Sequence, residues 1–177
     1  MTQSLLFIVS SIVFFTLFLF IFMFKKRKQI SCMTGMMVAM TIGMIVGLEV
    51  GIIVGIIFLD LFISTLVGMI IGMIAGFLLG SPISIMAVLD GILSGLMGGM
   101  MGAMLGGMIS SNYYNSIVSV FYIIFIGVFL ILIYMVQHET KVTKGVINKF
   151  FHHPVLIASM FFVFFYLFKQ LGPIFYN

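Results

Sequence analysis

Residues 43–55 read GMIVGLEVGIIVG and place a glycine at every fourth position of an otherwise apolar segment. Residues four apart lie on one face of an α-helix, so these glycines form a single stripe. Membrane helices associate through close packing of small residues, because lipid offers them little hydrophobic reason to meet. The segment therefore predicts a membrane-embedded helix that presents its bare backbone to a neighbour.

Two later segments repeat this pattern, with glycines at intervals of three or four residues. Glycine is nearly 1 kcal/mol (about 0.8–1.0) less favourable than alanine inside a soluble helix. Three such helices need a compensating interaction, and tight packing against one another is the simplest. The predicted helix-packing residues are Gly43, Gly47, Gly51, Gly55, Gly68, Gly72, Gly76, Gly91, Gly95, Gly99 and Gly102.

The composition of the whole chain fits a membrane protein. Of its 177 residues, 63% are hydrophobic and 7% are charged, whereas soluble domains carry about 25% charged residues. A soluble fold of this length would lack the polar surface to cover itself. The chain is predicted to be all-α, a single polytopic integral membrane domain over residues 1–177.

Six segments are long enough to cross a bilayer, which takes about 20 apolar residues. Asp60 is expected to cap the third helix. Ser81 is expected to cap the fourth, with Pro82 at its first position. A cluster of polar residues, Ser110-Ser111-Asn112, marks the next turn. The predicted spans are 5–24, 33–58, 64–80, 83–108, 117–136 and 155–171.

The basic residues predict the orientation of the chain. Seven of the eight lie in two short loops, 25–32 and 137–154, and Lys169 is the exception. Basic loops stay on the cytoplasmic side. Four predicted spans separate the loops, so both fit inside if both termini are outside. The net charge of +4 therefore predicts contact with lipid headgroups, not nucleic acid, and the cell membrane is the expected location.

Methionine and glycine concentrate in the centre of the chain. Thirteen of 17 methionines and 16 of 19 glycines lie within residues 33–108, against three of 21 phenylalanines. This split predicts a Gly/Met-rich core of three helices inside a Phe-rich rim. Methionine is either a flexible apolar filler or a soft donor for an ion such as Cu(I). The candidate metal ligands are Cys32, Met33, Met37 and Met40.

One segment of the third span combines two membrane motifs. Gly68-Met69-Ile70-Ile71-Gly72-Met73 contains both GxxxG and MxxxM. In this it resembles copper transporters of the Ctr type, from which the chain differs in the number and arrangement of its spans. The resemblance implies a soft metal ion as cargo.

Two carboxylates, Glu49 and Asp90, fall inside predicted spans. An ionisable residue within a membrane is a functional candidate by default. Spans two to four contain no basic residue, so we expect these groups to be neutral. They are suited to relay protons, bind a cation or hydrogen-bond a carbonyl group. The predicted ion path comprises Asp90, Glu49, Ser94, Met97, Met101 and Met104.

The sequence lacks the nucleotide-binding, metallohydrolase and triad motifs of common enzymes. We expect no enzymatic activity and no cofactor other than a bound Cu(I). The favoured function is a small permease or channel-like protein for an ion. The alternative is a non-transporting scaffold or assembly factor that binds a partner membrane protein through its glycine-zipper helices. A homo-oligomer fits either interpretation.

Overall fold

The computed structural model describes residues 3–27 and 30–139. This part of the chain is all-helical, and five of its helices are long and apolar enough to cross a membrane. A short 3-10 helix at Ser111–Tyr113 precedes the last of them. The long helices are α1 (Gln3–Lys26), α2 (Cys32–Phe58), α3 (Leu61–Gly80), α4 (Ile85–Met108) and α5 (Tyr114–Glu139).

These helices coincide with the first five predicted spans. The sixth, 155–171, lies outside the described residues, as does most of the predicted loop 137–154. Within residues 3–27 and 30–139 the structure shows five helices of membrane-spanning length, and the sixth span stays a prediction. The orientation of the chain in the membrane stays a prediction.

The turn before α3 follows the sequence prediction. Asp60 caps this helix, because its Oδ1 accepts a hydrogen bond of 2.9 Å from the backbone N–H of Phe62. The preceding residue, Leu59, adopts the left-handed conformation with a φ of 52° and ends α2. The predicted role of Asp60 is confirmed.

The predicted cap of α4 is wrong. Ser81 stays in the right-handed helical conformation with a φ of −57°, whereas an N-cap residue needs an extended backbone. Ser84 is extended, with a φ of −161° and a ψ of 158°, and its Oγ accepts a 3.1 Å hydrogen bond from the Ala87 N–H. Pro82 therefore lies in the connecting turn, and α4 begins at Ile85.

Helices α2, α3 and α4 meet backbone to backbone through their glycines. A Cβ atom added at Gly47 would lie 2.7 Å from the carbonyl oxygen of Gly95 and 3.3 Å from the Cα of Gly72. Residue numbers rise together along α2 and α4 and fall along α3, so α3 is antiparallel to the other two. Three successive glycine layers are Gly43/Gly76/Gly91, Gly47/Gly72/Gly95 and Gly51/Gly68/Gly99.

The methionines lie outside this core, so the predicted methionine-lined interior is not confirmed. Backbones in direct contact leave no room for a long side chain between them. The thioethers of the predicted site residues consequently lie on the outer surfaces of α2 and α4. The exposed methionines among the predicted site residues are Met33, Met37, Met40, Met97, Met101 and Met104.

Helices α1 and α5 pack through aromatic rings. The ring centroids of Phe15 and Phe129 lie 4.6 Å apart, and Phe15 also approaches Phe125 at 6.2 Å. Offset and tilted aromatic pairs of this kind are favourable. Helix α5 also contacts α2, so α1, α2 and α5 enclose a second interior beside the glycine core.

Candidate functional site

Glu49 lies in this second interior, on α2. It follows Gly47 by two residues, and a rotation of about 200° over two residues turns its side chain away from the glycine stripe. The residue is only 4% exposed. It lies four residues beyond the middle of the 27-residue helix α2, about 6 Å along the helix axis. Glu49 is therefore buried near the middle of a helix that is long and apolar enough to cross a membrane.

The carboxyl group of Glu49 borders a cavity between three helices. Both of its oxygens are buried, and neither forms a hydrogen bond with any described residue. The cavity measures about 10 Å³, close to the ~10–15 Å³ that one water molecule requires. Its lining comes from α1, α2 and α5, namely Ile8, Glu49, Ile52, Ile53, Val118, Phe121 and Tyr122.

Tyr122 is the second polar side chain of this lining. The residue is 1% exposed, and its hydroxyl group donates a 2.7 Å hydrogen bond to the Oγ of Ser11 on α1. A serine hydroxyl is both donor and acceptor, so it can extend a hydrogen-bonded chain. Oxygen-bearing side chains from α1, α2 and α5 thus gather at one depth. Glu49 and Tyr122 are the ionisable groups among the described residues of the cavity lining.

The Tyr122–Ser11 hydrogen bond is expected to hold α5 against α1. Tyr122→Phe removes the donor and should lower the free energy of unfolding in detergent by about 1 kcal/mol. Ser11→Ala should have a similar effect, and the double variant should lose little more than either single one, because both changes remove the same bond. Thermal unfolding of the four proteins measures this coupling. Fully additive losses would contradict it.

The other predicted ion-path residues lie elsewhere. Asp90 is half-buried in the second turn of α4 and is not part of the cavity lining. Ser94 is buried where α4 meets α2, and its Oγ donates a 3.0 Å hydrogen bond to the carbonyl oxygen of Gly91. The methionines of α4 lie on its outer surface. The structure therefore does not bring these residues together with Glu49.

The candidate metal ligands lie on the exposed surface of α2. Cys32 is exposed, and its thiol donates to the Oγ of Ser84 at 3.1 Å. Among the described residues, no three His, Cys, Asp or Glu side chains are grouped as metal ligands would be. Thioethers fall outside that set, so Cu(I) binding by Met33, Met37 and Met40 stays a prediction.

Comparison with known proteins identifies no relative of this chain. No family model, no curated protein and no solved structure matches the chain.

Proposed function

We propose that this chain is a small integral membrane protein that transports protons, with Glu49 as the group that takes up and releases them. The observation that carries the proposal is the carboxyl group of Glu49, which is buried in a membrane-spanning helix without a hydrogen bond to the described residues. A buried polar group without a partner is costly. The presence of this carboxyl group at such a depth is therefore best explained by a functional role.

The chemistry of the cavity favours a proton over a metal ion. Hard cations such as Ca²⁺ take six to eight oxygen ligands (about 2.3–2.6 Å away), whereas the side chains of the described lining offer oxygen atoms only on Glu49 and Tyr122. Soft ions need sulfur donors, whereas the described lining contains neither Met nor Cys. A proton needs a carboxyl group and hydrogen-bonding neighbours, and Tyr122 lines the same cavity and donates a hydrogen bond to Ser11 on α1.

Proteoliposomes containing the full chain and a pH-sensitive dye test the proposal. Glu49→Gln keeps the shape of the side chain but removes its ability to ionise, so we expect proton flux to fall by about tenfold or more. Asp90→Asn is the matched control, a carboxyl-to-amide change in a membrane helix away from the cavity. Its flux should stay within about twofold of the unmodified protein. Equal flux in the Glu49→Gln and unmodified proteins would refute the assignment.

The scaffold alternative is supported by the outer face of α4. Large apolar side chains cover it, and methionine-rich surfaces adapt to varied partners. The glycines contact one another inside the chain, so the partner would bind this face and not a glycine stripe. Absence of flux together with stable co-purification of a larger membrane complex would favour the scaffold. The exposed residues of this face are Met86, Leu89, Leu93, Met97, Met101 and Met104.

A further inference from the structure

A long apolar groove lies between α1, α2 and α3, next to the Glu49 cavity, with which it shares Ile53 in its lining. Its volume is about 450 Å³, within the ~300–1,000 Å³ of small-molecule sites. Its walls include Val50 of α2 and Ala75 of α3. Among the described lining residues Thr16 is the polar one, and its hydroxyl group already donates to carbonyl oxygens of α1. The groove therefore suits an elongated apolar ligand.

The α1 side of the groove leads to a positive charge. The lining residues of α1 include Val13 and Phe20, which lie seven residues apart on one helix face. A further step of four residues along the same face reaches Phe24, and Arg27 follows directly after the end of α1. The Arg27 guanidinium lies over the Phe24 ring, with its Cζ 5.5 Å from the ring centroid. The apolar groove and the guanidinium group thus lie on the same side of α1, with Phe24 between Phe20 and Arg27 along the chain.

We propose that this groove binds an anionic phospholipid, with an acyl chain between the three helices and the phosphate on Arg27. Guanidinium groups bind phosphate through two parallel hydrogen bonds, which an ammonium group cannot reproduce. Lys25 and Lys26 precede Arg27 and add positive charge where a headgroup would lie. Basic residues beside a membrane helix attract anionic lipid by about 1 kcal/mol each. This site lies beside the proton site and does not depend on it.

Native mass spectrometry of the full chain tests the headgroup half of the proposal. The protein is purified in detergent with equal amounts of phosphatidylglycerol and phosphatidylcholine. We expect phosphatidylglycerol to be retained at least about fivefold more than phosphatidylcholine, and Arg27→Gln to abolish that preference. Lys25→Gln is the comparison variant: it also removes one charge, but from a different side of α1, so it should lower the preference only in part. Equal retention of both lipids by the unmodified protein would overturn the proposal, as would an unchanged preference in Arg27→Gln.

A groove-filling substitution tests the acyl-chain half. Ala75→Phe places a ring in the groove and should reduce the retained phosphatidylglycerol severalfold. Leu66→Phe is the control, since Leu66 is exposed on α3 and is not part of the groove lining. Gel filtration checks that each variant remains monodisperse, and Arg27→Gln still decides the outcome if Ala75→Phe misfolds. Unchanged lipid retention in Ala75→Phe overturns the proposal. A change in oligomeric mass without a loss of lipid also overturns the proposal, because it would assign the groove to a second copy of the chain.

Discussion

Gly72→Ala is expected to destabilise the protein by about 2 kcal/mol or more, the upper part of the range for overpacked interiors. The added Cβ would lie 2.6 Å from the carbonyl oxygen of Gly95 and 2.8 Å from the Cα of Gly47. Both are backbone atoms, so no side chain can rotate away. Two neighbouring helices would have to move, and the layers above and below resist that movement. Gly72→Leu should prevent the fold from forming.

Gly107→Ala is the matched control for this prediction. The same methyl group at Gly107 would meet the side chain of Leu61 at 3.2 Å, which can adjust. Because alanine favours a helix over glycine by nearly 1 kcal/mol (about 0.8–1.0), this variant should be neutral or slightly more stable. Thermal unfolding in detergent and gel filtration compare the two variants. Equal stability of Gly72→Ala and Gly107→Ala would disprove backbone packing at the centre of α2–α4.

The helices and their glycine faces can be read from the sequence because both follow from local periodicity. A four-residue repeat fixes one helix face whatever surrounds it, and Asp60 marks a turn by local chemistry. The position of methionine was harder to predict. Met37 and Met40 lie on a helix beside its glycines, yet the distance between helices decides whether such side chains point inward. That distance is a property of the packed bundle and is absent from any single segment.

The candidate site also has features that follow from the sequence and features that do not. The direction of Glu49, away from the glycines, follows from helix geometry. Its neighbours depend on how α1 and α5 pack against α2, which periodicity does not reveal. The sequence nevertheless contains a signal for them. Ser11 is the ninth residue of α1 and Tyr122 is the ninth residue of α5, and both helices are predicted to enter from the same membrane face. Polar residues at equal depth in separate spans can therefore be predicted to contact one another.

Replacing Glu49 should reveal whether the residue serves the fold or the function. Glu49→Leu removes a buried carboxyl group that has no hydrogen bond to the described residues and leaves an apolar side chain among Ile52, Ile53 and Val118. Leaving a buried polar group unsatisfied costs about 1–3 kcal/mol, so this variant should be more stable than the unmodified protein by a similar amount. Its proton flux should be lost. Stability and function would then move in opposite directions at one position.

The opposite result identifies a structural residue. If Glu49 contributed a stabilising contact, Glu49→Leu would lower the unfolding temperature, and Glu49→Gln would restore part of it by keeping the polar group. Thermal unfolding of both variants in the same detergent, beside Tyr122→Phe as a variant that loses a known hydrogen bond, separates the cases. A loss of stability in Glu49→Leu as large as that in Tyr122→Phe would contradict the proposed role. A gain in stability with loss of flux is the expected pattern, because a group retained for proton exchange opposes the packing around it.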